Sequence, residues 1–89
     1  MSQFATGATL THASAKAALD DGLGRIASGA TVVDCAALAQ FDSAALAVLL
    51  AWQRAVQARG ANLDILNLPP KLASLAHAYG IDTLLTGRH

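Results

Sequence analysis

Eighty-nine residues are enough for one domain, and a chain of this length buries only about 60–65% of its unfolded surface, which leaves no room for a large internal ligand cavity. The formal net charge is zero and the Lys and Arg residues are scattered, which argues against nucleic acid as a partner. Hydrophobic residues make up 54% of the chain, either because another protein covers part of the surface or because 21 alanines inflate the count.

The first part of the chain predicts short strands followed by a helix. Residues 3–11 read as one or two strands. Ser14 is placed to cap a helix that ends at about Ser28. The predicted inward face of this helix comprises Ala15, Leu19, Leu23 and Ile26. Residues 31–35 then form a β-branched strand.

A second, more apolar helix begins with Asp42 or Ser43 as its cap and ends before Gly60. Its clearest inward stripe comprises Ala45, Leu49, Trp52 and Val56, widened by Leu46 and Leu50. Its polar face is predicted to comprise Gln53, Arg54 and Gln57. The wide apolar arc indicates contact on more than one side, and an isolated domain could pair there with a second copy.

The remaining residues predict one more strand and one more helix. The strand spans residues 62–67, and Pro69 and Pro70 open the helix. The inward positions of this helix are Leu72, Leu75, Ala76 and Tyr79. Residues 81–85 form a final short strand or helical turn. The alternation predicts a single α/β domain across the whole chain, with a small mixed sheet whose parallel strand pairs are covered by about three helices.

The start of the second helix is the most informative point in the chain. A helix N-terminus has unpaired N–H groups and a partial positive charge, and Asp42 and Ser43 stand there ahead of two small residues, Ala44 and Ala45. This combination predicts a surface that another protein can approach closely, with His12 at its border. The alternative is that Ser43 is only an N-cap, worth about 1 kcal/mol.

No catalytic or metal-binding constellation is apparent, so no cofactor and no enzymatic activity are expected. The lone Cys35 cannot form an internal disulfide and is predicted to be a small core residue. His77 is predicted to lie on the surface, and the glycines at 22–24 fall within a helix and not in a phosphate-binding loop. The longest apolar run, residues 44–52, is too short to insert into a membrane, and no signal peptide is apparent. The expectation is a soluble, cytoplasmic protein.

The segment VVDCAALAQFDSAALAVLL resembles the pattern of the STAS domain family. That pattern is a hydrophobic strand ending in Asp, a connection, an Asp-Ser/Thr pair, two small residues and an apolar run. Asp34 corresponds to the strand-end acid, and Asp42 and Ser43 correspond to the hallmark pair. GANLDILNLPPKLASLAHAYGIDTLL fits the rest of the domain. The resemblance is strongest over residues 31–85 and looser over residues 1–30, where the usual turn after the first strands is shortened.

Two branches of the family bear on function. The ending LASLAHAYGIDTLL is similar to the MlaB branch, the small STAS subunit of bacterial Mla phospholipid-transport ABC complexes. That likeness implies a non-catalytic subunit at the cytoplasmic face of the inner membrane, which uses the region of Ser43 to bind an MlaF-like ATPase and, through it, a permease. It also implies a role in outer-membrane lipid asymmetry. The alternative branch is the anti-sigma-factor antagonists, in which the residue at Ser43 would be phosphorylated by a partner kinase.

Overall fold

The computed structural model describes residues 3–86, which form five short strands and four helices. In chain order these are β1 Gln3–Ala5, β2 Thr9–Leu10, α1 Ala15–Ala27, β3 Val32–Asp34, β4 Gln40–Phe41, α2 Ser43–Gln57, β5 Asp64–Leu66, α3 Pro70–Ala78 and α4 Asp82–Thr86. The predicted α/β class with parallel strand pairs is confirmed. The helix number differs from about three because the last segment closes into a short fourth helix.

The strands form two sheets, and every pair within residues 3–86 is parallel. One sheet has the order β1-β3-β5. The other pairs β2 with β4, which places Leu10 opposite Phe41. The Ala8 carbonyl reinforces this pair by accepting hydrogen bonds of 2.9 Å from the amides of Ala39 and Gln40. The second sheet therefore holds the segment before α1 against the start of α2.

Helix α2 is the centre of the core, as its apolar stripe predicts. Each residue of that stripe is at most 1% exposed, namely Ala45, Leu49, Trp52 and Val56. Trp52 also meets Phe4 of β1 edge-on, with ring centroids 5.1 Å apart. Because aromatic pairs favour this geometry, the contact fixes α2 against the three-stranded sheet. No helix within residues 3–86 combines the length and hydrophobicity needed to cross a bilayer.

The prediction that Gln53 belongs to the polar face of α2 is wrong, because its side chain is fully buried. Its Nε2 donates to the carbonyl oxygens of Leu63 at 2.9 Å and Leu85 at 2.6 Å. Its Oε1 accepts from the Leu63 amide at 2.8 Å. A polar group can be buried when its hydrogen bonds are made, so Gln53 forms a buried hydrogen-bonded connection, or clasp, between α2 and α4.

The prediction that Tyr79 lies on the inward stripe of α3 is also wrong, because its side chain is 59% exposed. The helix ends at Ala78, and Tyr79 is its C-cap, followed by Gly80 at φ +71°. The left-handed glycine turns the chain away before Tyr79 can complete the apolar face. Leu72 and Ala76 of the same stripe are buried as predicted.

Helices α1 and α2 approach closely where Gly22 faces the Trp52 ring. The Trp52 Nε1 donates to the Leu19 carbonyl at 3.2 Å, which ties the ring to α1. A Cβ placed on Gly22 would overlap the indole ring, whereas a Cβ placed on Gly24 would meet open space. The close packing against Trp52 therefore requires a glycine at position 22, whereas packing imposes no such requirement at position 24.

Gly22→Ala is expected to lower the free energy of unfolding by about 1–2 kcal/mol. Overpacking costs about 1–3 kcal/mol, and the direct overlap with the buried Trp52 ring places this cost at the upper end, where the gain of about 1 kcal/mol in helix propensity offsets only part of it. Gly24→Ala, two residues along the same helix, is expected to raise it by about 0.5–1 kcal/mol. Urea denaturation of both variants measures the two signs. A gain in stability for Gly22→Ala would show that the Trp52 ring moves aside without cost.

Candidate functional site

The candidate site lies where β4 passes into α2, and Asp42 is its organising residue. Asp42 has an extended backbone, φ −137° and ψ −166°, and is the N-cap of α2. Its Oδ1 accepts from the Ala44 amide at 2.8 Å, and its Oδ2 accepts from the His12 amide at 3.0 Å. These N–H groups, that of His12 first, lower the pKa of the Asp42 carboxyl below its usual value. The carboxylate therefore joins two segments 30 residues apart in sequence.

Ser43 is exposed and is the first residue of α2. The sequence left open whether Asp42 or Ser43 caps the helix, and the structure assigns the cap to Asp42. The interpretation of Ser43 as a simple N-cap is therefore wrong. The Ser43 hydroxyl makes no hydrogen bond to any other residue within 3–86, whereas the neighbouring Asp42 makes two. The hydroxyl is thus available to donate to, or accept from, a group outside the domain.

The two alanines that follow Ser43 differ in accessibility. Ala44 is half-buried and leaves the space beside the hydroxyl uncrowded. Ala45 is 0% exposed and packs in the core, so the expectation that it contacts a partner directly is wrong. The helical period explains the difference, because Ala45 lies on the inward face with Leu49. Ala45 contributes to the site only by supporting the first turn.

The segment before α1 supplies the other half of the site. His12 is exposed and lies beside the tip of α2 through the bond from its amide to Asp42. Ser14 was predicted to cap α1 with its side chain, and it does occupy the N-cap position. Its hydroxyl, however, bonds back to Thr11, accepting from the Thr11 amide at 3.0 Å and donating to the Thr11 carbonyl at 3.3 Å. Residues 11–14 form a closed turn as a result.

Sequence reasoning missed the pairing that brings this turn to α2. Strands β2 and β4 are two residues each and carry too short a pattern to be recognised by periodicity. In the structure the buried Leu10 pairs with the half-buried Phe41, a contact that joins two apolar residues distant in sequence. The pairing places the His12 amide 3.0 Å from the Asp42 carboxylate, so His12 lies beside the start of α2.

Asp34, the strand-end acid, is separate from the junction and has a structural role. Its Oδ1 accepts from the Asn67 side-chain amide at 3.0 Å and from the Ala36 amide at 2.9 Å. The Asn67 amide first and the Ala36 N–H second lower the pKa of this carboxyl. Asn67 adopts φ +58°, a conformation that Asn tolerates well, so Asp34 fixes the turn that leaves β5.

Cys35 is 1% exposed, which confirms the prediction that it is a small core residue. Burial, and secondarily the neighbouring Asp34 charge, raise the pKa of its thiol to about 11 from an ordinary value of 9.0. The thiol therefore stays protonated at neutral pH, where a nucleophile would need the thiolate. Residues 3–86 contain no group of three or more His, Cys, Asp or Glu side chains that could hold a metal ion.

The raised pKa of Cys35 predicts a loss of stability at alkaline pH. Its contribution is fully present below pH 9.0, where both folded and unfolded chains keep the proton, and falls as the pH rises toward about 11. Over this range of pH the free energy of unfolding is expected to fall by about 2–3 kcal/mol. Urea unfolding between pH 8 and pH 11, under reducing conditions, measures the slope, and Cys35→Ala should flatten it. Equal slopes for both proteins would contradict the expectation.

His77 lies on the surface as predicted, with its side chain 82% exposed. Its Nδ1 is 3.1 Å from the Asp82 Oδ2, and this contact is the largest cause of a lowered pKa for the Asp82 carboxyl. The pair spans the turn between α3 and α4. Because both groups are solvated, it adds little to stability and has no relation to the junction at Asp42.

A protein-family model described as "Mlab, STAS domain" matches residues 6–86, which is most of the chain. The match begins in the segment between β1 and β2, so it includes much of the region where the resemblance in sequence was looser. No curated protein and no solved structure showed significant similarity to the chain.

Proposed function

Because the chain belongs to the STAS domain family, we propose that it is a non-catalytic subunit that binds and stabilises the cytoplasmic ATPase of a Mla-type ABC phospholipid transporter. The family description, which names Mlab, supports this branch. The observation that carries the proposal is the exposed Ser43 hydroxyl, which stands on the tip of α2 without an internal hydrogen bond among the described residues. A group in that position is suited to meet another protein.

The chemistry of the junction favours protein contact over catalysis. Both oxygens of Asp42 are already engaged with backbone N–H groups, so the carboxylate is poorly placed to act as a base. Ser43 has no base bonded to it among residues 3–86 and therefore lacks the activation that a nucleophile needs. A hydroxyl beside the half-buried Ala44 can accept a close approach of a partner backbone. These features favour a role for the site in binding another protein.

In this role the protein would sit at the cytoplasmic face of the inner membrane through its partner. The ATPase would link it to the membrane permease of the transporter. By holding the ATPase in its assembled form, it would support the phospholipid traffic that maintains outer-membrane lipid asymmetry. Binding linkage gives the physical basis, because a partner that binds only the assembled ATPase stabilises that form.

A phosphorylation switch of the anti-sigma-factor antagonist kind is the second candidate, and the exposed, unbonded Ser43 hydroxyl is the observation that favours it. A phosphate at the first turn of α2 would lie in the favourable field of the helix N-terminus. Phosphorylation would therefore leave the domain folded and change only the surface that a partner meets. The two candidates use the same hydroxyl in different ways.

Co-expression with the ABC ATPase of the same genome tests the main proposal. We expect the two proteins to co-elute as a stable complex, and the ATPase to unfold at a higher temperature in the complex than alone. Separate elution under conditions where both are folded would refute the proposal. In a parallel arm, the purified chain is incubated with ATP and protein kinases of the same organism. A stoichiometric phosphate on Ser43 by intact mass and fragmentation would favour the switch.

A further inference from the structure

We infer that α4 is a detachable strap: it opens and closes as a unit of its own while the rest of the domain stays folded. The inference concerns only contacts within the chain, so it does not depend on the proposed function. In its closed position the strap covers one part of the core, and that part becomes accessible only when the strap opens.

The strap is attached to the domain by few groups. Of residues 82–85, Leu85 alone is buried, whereas the neighbouring Leu84 is exposed. The Asp82 carboxylate meets the Nδ1 of His77 at 3.1 Å, but both side chains are largely solvated and such a pair contributes little. A helix of five residues has no stability of its own. The closed position therefore depends mainly on the Leu85 side chain and on the hydrogen bond to its carbonyl.

The Gln53 side chain joins the strap to the core through a bond that can break separately. Its Oε1 accepts from the Leu63 amide at 2.8 Å, and its Nε2 donates to the Leu63 carbonyl at 2.9 Å. The same Nε2 donates to the Leu85 carbonyl at 2.6 Å. Because a side-chain amide has two N–H groups, the bond to Leu85 can be lost while both bonds to Leu63 remain. Opening of the strap thus leaves the connection between α2 and the start of β5 intact.

The chain before the strap is fixed independently of it. The Gly80 amide donates to the His77 carbonyl at 2.9 Å, and the Ile81 amide donates to the Ala76 carbonyl at 3.0 Å. Ile81 is half-buried and packs against the core. These bonds close the end of α3 without any residue of α4, so the movement starts after Ile81 and does not unwind α3.

Opening exposes the apolar slot that Leu85 fills, with one N–H group of Gln53 at its side. The released N–H and the Leu85 carbonyl then bond to water, so neither is left unpaired. Segments with few buried contacts open at a lower free energy than the whole domain unfolds. The strap is therefore a conformational device that controls access to this slot.

Amide hydrogen exchange, followed by NMR in low concentrations of urea, tests the inference on the full chain. The Leu85 amide, bonded to the Ile81 carbonyl, reports on the strap, and the Leu63 amide, bonded to Gln53, reports on the core. We expect the Leu63 amide to be protected at least about a hundredfold more strongly than the Leu85 amide. Urea should reduce the protection of Leu63 and leave that of Leu85 almost unchanged, because local opening exposes little surface. Equal protection with equal dependence on urea would overturn the inference.

Two matched variants in α1 give a second test. Gly22→Ala, which overpacks against Trp52, should reduce the protection of the Leu63 amide about 5- to 30-fold, and Gly24→Ala should raise it about 2- to 5-fold. Neither should change the protection of the Leu85 amide by more than about twofold, since local opening does not involve α1. If the Leu85 amide instead follows the Leu63 amide in both variants, α4 unfolds only with the whole domain and is not a strap.

Discussion

Replacing Ser43 by arginine or by aspartate is expected to abolish co-purification with the ATPase, which corresponds to at least about a hundredfold loss of affinity. Ser43 is exposed at the first residue of α2, so either side chain would project into the contact and bring an unpaired charge with it. The isolated domain should stay folded, because the buried part of α2 begins only at Ala45 and Asp42 still caps the helix. Pull-down with the ATPase and circular dichroism measure the two effects.

Ser28→Arg is the matched control for this experiment. Ser28 is also exposed but follows the far end of α1, about 20 Å from Ser14 along the helix axis. It should leave the yield of the complex unchanged. Normal complex formation by both Ser43 variants would exclude the tip of α2 from the interface. Retained binding by Ser43→Asp alone would show that the contact tolerates a negative charge at this position, and it would contradict both the expected loss and a switch that acts through charge at Ser43.

Replacing Gln53 by leucine is expected to lower the free energy of unfolding by about 3–6 kcal/mol. The side chain is fully buried and satisfies three main-chain groups on Leu63 and Leu85, each of which would lose its partner. A buried polar group left unpaired costs about 1–3 kcal/mol, so three cost about 3–9 kcal/mol, and burial of the more apolar leucine side chain offsets part of this cost. A domain of this size has a total stability of about 4–13 kcal/mol, so the loss is a large fraction of the total and the variant should unfold at a much lower urea concentration. Urea denaturation provides the measurement.

Gln57→Leu tests whether burial, and not the loss of an amide, is responsible. Gln57 lies one turn further along α2 and is exposed, so its replacement should change stability by less than about 0.5 kcal/mol. A loss of under about 1 kcal/mol for Gln53→Leu would mean that water or a shifted backbone satisfies the exposed groups of Leu63 and Leu85. The role of Gln53 as a clasp between α2 and α4 would then be wrong.

Much of this fold could be predicted from local sequence because helices leave strong local patterns. The stripe of α2 and the capping position at Ser14 follow from spacing alone. Strand β4 was missed because two residues cannot show an alternation. Gln53 was misplaced because helical spacing cannot tell an exposed amide from one whose partners come from distant loops. Tyr79 was misplaced because the helix stops one residue before it.

The candidate site was located from sequence, but its internal arrangement was not. An acid and a hydroxyl before an apolar helix point to the junction at Asp42 and Ser43. Which of them caps the helix depends on backbone angles that neighbouring residues set, and Asp42 does so here. The bond from the His12 amide to Asp42 depends on the pairing of β2 with β4, which joins positions about 30 residues apart and has no local signature.

The parallel pairing of β2 with β4 also determines when the hydrogen bond between the His12 amide and Asp42 can form during folding. Parallel strands cannot be joined by a tight turn, and here the chain must first form α1 and β3 between them. Such distant contacts form late in folding because the intervening loop must be closed before they bring any gain. A nascent chain that has emerged only as far as α1 therefore cannot hold the turn at residues 11–14 in place, because the partner strand of β2 and the Asp42 carboxylate do not yet exist. This turn and the start of α2 become one ordered region only after Phe41 and Asp42 have joined the fold.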